Sequence, residues 1–170
     1  MDKEILIPTS WGDVTLGEFI ELSKLDMKSY KSPVEYYIHM LRVFGNDDIE
    51  SIFEYIKAVD LESIIGQMSF MNTPPRQLTN KSIKVGSEVF YLPENLNELT
   101  VGEYVSIEQM IETGKLDSVS AIPTILSVIL RPKGETFDSN LCDERNELFK
   151  QSLSIEDTLG MSVFFSIGVR

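Results

Sequence analysis

The chain has 170 residues, a hydrophobic fraction of 42% and a formal net charge of −12 at pH 7. This composition is that of a globular protein with a real core, in one domain or two small ones. The acidity disfavours nucleic-acid binding through phosphates, which requires patches of Lys and Arg. No apolar stretch reaches the ~20 residues that span a bilayer. A single cysteine, Cys142, excludes an internal disulfide and favours a reducing compartment. We therefore expect a soluble cytoplasmic protein without a signal peptide, a membrane contact or a basic surface for nucleic acid.

The chain opens with a short apolar run that ends at Pro8. Proline suits the end of a strand because it has no N–H to give to a ladder, so we predict a strand over residues 4–8. Thr15 and Glu18 then have the Thr-x-x-Glu spacing of a capping box, in which the hydroxyl accepts from the third helical N–H and the carboxylate accepts from the threonine N–H. We predict a helix over residues 15–26 with this cap.

Three more helices and a linker complete the first half. Pro33 has the position that proline favours at the start of a helix, and Gly45 ends that predicted helix. A third helix is predicted from Ile49, and Asp60 is the predicted cap of a fourth. Residues 72–81, which contain two adjacent prolines, are the clearest break in the chain and read as a linker.

The second half begins with a predicted hairpin over residues 82–92, with a two-residue Gly-Ser turn. Thr100 and Glu103 then repeat the Thr-x-x-Glu spacing, so we predict a second capped helix over residues 100–112. The remaining predicted elements are an apolar helix over 123–130, a polar excursion over 131–140, a helix over 142–153 and a last helix capped by Ser154.

The opening motif occurs twice, because residues 7–22 align without a gap with residues 92–107. Two shorter matches follow in the same order, Leu-Arg-x-x-Gly at 41–45 and 130–134, and an apolar-Glu-x-x-apolar-Gly pattern at 61–66 and 155–160. The sequence therefore predicts a mainly α fold with short β elements, built as a tandem duplication of a strand–turn–helix unit plus further helices. We expect a first repeat over 1–71, a linker over 72–81, and a second repeat with an added hairpin and longer loops over 82–170. The identical positions of the opening motif are Pro8/Pro93, Thr15/Thr100, Gly17/Gly102 and Glu18/Glu103.

Residue patterns typical of catalytic or ligand-binding sites are scarce in this sequence. One His and one Cys cannot supply a usual zinc site, and the glycine-rich phosphate loops GxGxxG and GxxxxGK[ST] are absent. His39 lies among apolar and aromatic residues of a predicted helix, which favours a structural role. Glu18 and Glu103 resemble a catalytic carboxylate pair only superficially, since the capping spacing explains both. We therefore predict no catalytic, cofactor-binding or metal-binding residues and no enzymatic activity.

Surfaces for protein contacts are better supported. Trp11 stands at the centre of the link before the first capped helix, where it either fills the core, the favoured interpretation, or anchors a partner. Phe164 and Phe165 belong to an apolar C-terminal stretch that either buries in the domain or lies under a neighbouring subunit. The hairpin and the polar excursion have no counterpart in the first half, and insertions on a scaffold often carry recognition.

The opening motif, together with a small acidic helix-rich chain and the Phe-Phe pair near its end, resembles small structural-module proteins of tailed phages that infect Bacteroidetes, including crAss-like phages. The resemblance covers the two motifs and extends to the rest of the chain only by class. It implies a non-enzymatic virion component at the portal–tail region, a ring or head-to-tail joining subunit. Such a protein forms a homo-oligomeric ring, contacts the portal and neighbouring ring or tail subunits, and needs no cofactor. It is located in the virion, and in the host cytoplasm during assembly. The alternatives are a tail assembly chaperone, an internal cargo protein or an unrecognised enzyme. The matching residues are Ile7, Pro8, Trp11, Thr15, Leu16, Glu18, Phe19 and Ile20, echoed at 92–105.

Overall fold

The computed structural model describes residues 5–46, 48–76, 80–94, 99–112 and 119–159 of the chain. The expected mainly helical fold with short β elements is confirmed. Residues 155–159 are also helical. The α-helices are α1 (Leu16–Ser23), α2 (Pro33–Val43), α3 (Ile49–Phe53), α4 (Ala58–Gln67), α5 (Val101–Glu112), α6 (Ile122–Ile129) and α7 (Cys142–Ser152). Short 3-10 turns lie at Trp11–Asp13, Met27–Ser29, Met68–Asn72, Val119–Ala121 and Ser139–Leu141.

A three-stranded antiparallel sheet has the order β1 (Ser82–Val85), β2 (Glu88–Tyr91) and β3 (Arg131–Pro132). The first two strands form the predicted hairpin, and Gly86 takes a φ of +59° in its turn, a conformation that favours glycine. The third strand lies at the start of the predicted polar excursion, so the first two residues of that segment add to the sheet.

The predicted strand at residues 4–8 is wrong, because the described residues 5–8 have no regular secondary structure. The buried side chain of Asn46 takes the place of a neighbouring strand. The Leu6 N–H donates to Asn46 Oδ1 at 2.8 Å, and Asn46 Nδ2 donates to the Leu6 carbonyl at 2.8 Å and to the Leu41 carbonyl at 2.8 Å. One amide thus satisfies backbone groups that a ladder would otherwise satisfy.

The predicted cap at Asp60 is also wrong. The N-cap of α4 is Lys57, whose carbonyl accepts from the N–H groups of Asp60 at 3.0 Å and Leu61 at 3.1 Å. The helix therefore begins at Ala58, before the residue chosen from the sequence. Asp60 lies in the first turn of α4, where a carboxylate interacts favourably with the helix dipole.

Residues from both halves build one hydrophobic core. Helix α7 packs against both α6 and α1. The caps of two helices meet in an antiparallel bridge between Thr15 and Ser154. Here the Leu16 N–H donates to the Leu153 carbonyl at 2.7 Å, and the Ile155 N–H donates to the Val14 carbonyl at 2.9 Å. The start of α1 is therefore fixed by the far end of the chain. The fully buried apolar side chains of this core include Leu16, Leu41, Ile49, Phe90, Leu126, Ile129, Leu130, Phe149, Leu153 and Ile155.

Candidate functional site

Both predicted capping boxes have their reciprocal hydrogen bonds. At α1 the Thr15 N–H donates to Glu18 Oε2 at 2.7 Å, and the Glu18 N–H donates to Thr15 Oγ1 at 3.2 Å. At α5 the Thr100 N–H donates to Glu103 Oε2 at 2.6 Å, and the Glu103 N–H donates to Thr100 Oγ1 at 3.3 Å. The four residues therefore position two helices, which is a structural role.

Glu103 has a second role that the sequence did not indicate. Its side chain is fully buried and forms an ion pair with Arg131, the first residue of β3. Burial, the largest influence, raises the pKa of this carboxyl. The hydrogen bonds from Thr100 and the charge and hydrogen bond of Arg131 together outweigh burial, so the pKa lies below its ordinary value. Glu103 is thus ionised at neutral pH and ties α5 to the sheet.

A second ion pair holds the polar excursion from the other side. Arg145 of α7, itself buried, pairs with Glu135 at 2.5 Å. The same guanidinium carbon lies 5.8 Å from the centre of the Phe90 ring on β2. Residues 131–140 are therefore fastened to α5 through Arg131 and to α7 through Glu135. Arg131 and Glu135, the two residues of this segment that form these ion pairs, therefore stabilise the fold.

Trp11 makes contacts within the chain. Its indole N–H donates to the Thr73 carbonyl at 2.7 Å, and its ring packs edge-on against Phe19 at 5.6 Å and Phe70 at 5.2 Å. The side chain is half-buried and joins the opening link to the end of the first half. These contacts place Trp11 against the hydrophobic core, with part of its side chain exposed. The other two proposed interface residues, Phe164 and Phe165, lie outside the described residues.

The groups with potential chemistry are occupied by structural contacts. Burial is the main cause that raises the pKa of the Cys142 thiol, which therefore stays protonated at neutral pH. The His39 ring lies 4.8 Å from the ring of Tyr30. Among the described residues, no group of three or more His, Cys, Asp and Glu side chains is arranged to hold a metal ion.

A depression of about 240 Å³ lies beside the opening segment. Two carboxylates, Asp13 and Glu18, are part of its wall. Asp13 Oδ2 accepts hydrogen bonds from the N–H and hydroxyl groups of Thr9 and Ser10, and the Thr9 hydroxyl is the leading cause that lowers the Asp13 pKa. Asp13 therefore holds the turn beside it, and Glu18 caps α1. The lining residues are Leu6, Ile7, Pro8, Asp13, Glu18 and Phe44.

One helix face carries adjacent apolar side chains that the described fold leaves uncovered. On α5, Val101 is 79% exposed, Tyr104 59% and Val105 40%. These residues and the exposed Glu108 have the spacing i, i+3, i+4 and i+7, so they lie on one face of the helix. We call Val101, Tyr104, Val105 and Glu108 the α5 outer face. Glu103 and Ile107 on the opposite side are buried, which fixes the orientation of the helix and holds this face outward.

None of the described helices is long and apolar enough to cross a bilayer. Comparison of the chain with protein-family models, with curated protein sequences and with solved structures finds no match.

Proposed function

We propose that the protein is a non-enzymatic structural component of a tailed-phage virion, a subunit of a ring that joins head to tail at the portal–tail region. The observation that carries this proposal is the α5 outer face. The resemblance of the opening motif to phage structural modules is the basis for proposing a tailed-phage particle.

A helix gains no stability from large apolar side chains that point into water. Contact with another protein surface removes such side chains from water, and this favours association at about 25 cal/mol per Å² of apolar area buried. Adjacent exposed apolar residues rimmed by polar ones are a common mark of protein–protein contact. Val101, Tyr104 and Val105 fit this description. Tyr is also one of the residue types enriched among the interface residues that contribute most of the binding free energy.

The expected tandem duplication is part of the proposal, since two related units on one chain supply separate surfaces for neighbours on both sides. In its support, α1 and α5 both begin with a capping box and carry a glycine at the second helical position. A Cβ on Gly17 would meet the Lys150 carbonyl oxygen at 3.0 Å, and a Cβ on Gly102 would meet the Phe137 ring at 3.4 Å. Both helices thus use glycine where a neighbour approaches closely.

The proposed repeats have also diverged. Gly45 and Gly134 occupy matching positions and take φ values of +83° and +84°. The residues before the two glycines differ in secondary structure. The chain is helical up to Val43 in α2, whereas Arg131 and Pro132 form β3. The repeat boundaries at 1–71 and 82–170 accordingly describe a proposed ancestry, and the two halves share one core.

Quantitative mass spectrometry of purified particles from the source phage tests this function. A ring subunit is present at a fixed multiple of the portal protein and stays with the particle through density-gradient purification. Absence from the particle, with recovery from infected cells in complex with a tail protein, would contradict the proposal and indicate an assembly chaperone. Loss from the particle together with the ejected DNA would indicate an internal cargo protein.

A further inference from the structure

We propose that the α5 outer face docks on residues 24–31 of a second copy of the chain, so that the subunits join head to tail. This inference rests on the proposed ring function and names the contact that builds the ring. We call residues 24–31 the lysine segment.

The lysine segment carries an excess of positive charge in a chain whose net charge is −12. It contains three lysines and one acidic residue, Asp26. Asp26 Oδ1 accepts from the Lys28 N–H at 3.0 Å, and Lys24 pairs with Glu21 at 2.5 Å. Lys28 and Lys31 are exposed, and their ammonium groups form no ion pair among the described residues. One further carboxylate borders the segment, because Glu35 Oε2 accepts from the Lys31 N–H at 2.8 Å.

The segment is also partly apolar and is held in place. Met27 is 49% exposed. The Tyr30 ring packs against Tyr36 at 5.6 Å and His39 at 4.8 Å, which fastens the segment to α2. A surface held in one conformation before binding loses less conformational entropy when a partner docks. Met27, Lys28 and Lys31 therefore form a prepared surface with apolar and basic parts.

The α5 outer face has the complementary character. It is apolar at Val101, Tyr104 and Val105 and acidic at Glu108, and α5 contains no Lys or Arg along its length. Docking on the lysine segment covers apolar with apolar surface and brings ammonium groups to the carboxylate. Docking of two α5 outer faces on each other would also cover apolar surface, but it would leave Glu108 without a basic partner, because α5 contains no Lys or Arg.

A contact between two different surfaces leaves one of each uncovered on every dimer. Further copies therefore add until the rotation closes, and the product is a ring, or a filament if it does not close. This geometry distinguishes the proposed contact from a symmetric one, which ends at a dimer.

The experiment uses two full-length variants that each block one surface. Val101→Glu with Tyr104→Glu blocks the α5 outer face, and Lys28→Glu with Lys31→Glu blocks the lysine segment. We expect each change to weaken association at least about tenfold, as loss of a central interface residue does, and each variant alone to be monomeric by native mass spectrometry. Mixed together, the two variants form a 1:1 dimer that does not grow, because only one intact pair of surfaces remains.

Controls place the same chemical changes elsewhere. Val59→Glu alters an exposed apolar residue on α4, and Lys133→Glu reverses an exposed lysine outside the segment, so both variants should form the wild-type oligomer. Thermal unfolding by circular dichroism checks that every variant is folded. If the double glutamate variant of α5 does not fold, Glu108→Lys replaces it and should weaken association by itself.

The outcomes separate this inference from the proposed function. A wild-type ring that persists in both blocked variants overturns the head-to-tail contact and leaves the ring function intact. Monomeric variants that form no mixed dimer overturn the contact as well. Self-association of the lysine-segment variant alone, with none in the α5 variant, would show that α5 faces pair with each other. A wild type that is monomeric throughout contradicts both the contact and the ring.

Discussion

The carboxylate of Glu103 in α5 and the guanidinium of Arg131 in β3 form an ion pair in which the glutamate is fully buried. Glu103 is at the same time the capping-box glutamate of α5. One side chain thus begins a helix and fastens that helix to the sheet. Because α5 carries the exposed apolar face, this pair also sets the orientation in which the face is presented.

Glu103→Gln should lower the free energy of unfolding by about 3 kcal/mol, since removal of one partner leaves the other charge buried without compensation. Arg131 retains some contact with water, which holds the loss near the lower end of the range for buried pairs. The matched control is Glu18→Gln in the capping box of α1, where glutamine keeps the accepting side-chain oxygen and is itself a capping-box residue, so the cost should stay within about 0.5 kcal/mol. Urea unfolding measures both, and equal losses would contradict a special role for the Glu103–Arg131 pair.

The stability that Glu103 contributes should depend on pH below its ordinary pKa of 4.5. The folded state lowers this pKa, so at acid pH the unfolded chain binds the proton more readily than the folded chain. The contribution is therefore complete above 4.5 and is lost as the pH falls through the lower pKa of the folded state. The difference in unfolding free energy between wild type and Glu103→Gln, measured from neutral to acid pH, should shrink in this window. A difference that grows towards acid pH would show that the sign is wrong.

Gly17→Ala should destabilise the protein by about 1–3 kcal/mol, as overpacking a close contact does. The new Cβ would lie 3.0 Å from the Lys150 carbonyl oxygen, a backbone atom that can move only if α1 and α7 separate. Gly66→Ala in α4 is the control, because nothing lies within 4 Å of its Cβ position and alanine favours a helix, so a gain of about 0.5 kcal/mol is expected. Thermal melts that rank the two variants in the opposite order would contradict the close packing of α1 on α7.

Asn46→Ala should cost about 1–3 kcal/mol, because it leaves Leu6 and Leu41 backbone groups without their side-chain partner. The loss should be local at first. Hydrogen exchange of the Leu6 amide should therefore be faster than in the wild type, while exchange of core amides should change little. Asn140→Ala removes an exposed asparagine that bonds to Asp138 within a turn, and its effect should stay within about 0.5 kcal/mol. Unchanged exchange at Leu6 in the Asn46 variant would show that other contacts hold the opening segment.

Local features of this fold were predictable from the sequence. The Thr-x-x-Glu spacing places a hydroxyl and a carboxylate within reach of nearby N–H groups, so the starts of α1 and α5 follow from four residues each. The β1–β2 hairpin was likewise predictable from a local signal, its two-residue Gly-Ser turn. The helical spacing of Val101, Tyr104 and Val105 is also visible in the sequence. It does not show which side of α5 faces water, because Ile107 on the opposite side is equally apolar. The side of α5 that is buried is decided by tertiary packing.

Features that depend on distant residues were not predictable in this way. No strand forms before Pro8, because the Asn46 amide bonds to that segment. Asn46 reaches it only because the chain turns at Gly45 after the end of α2. The ion pair between Glu103 and Arg131 requires α5 and β3 to meet, and nothing local to either residue indicates it. The Thr15–Ser154 bridge joins opposite ends of the chain for the same reason.

The mass of the purified full-length protein in solution, measured by native mass spectrometry over a range of concentrations, tests the central claim most directly. We expect one closed oligomer of three or more 19.3 kDa chains, with a copy number that stays constant as concentration rises. A monomer at every concentration would contradict the ring.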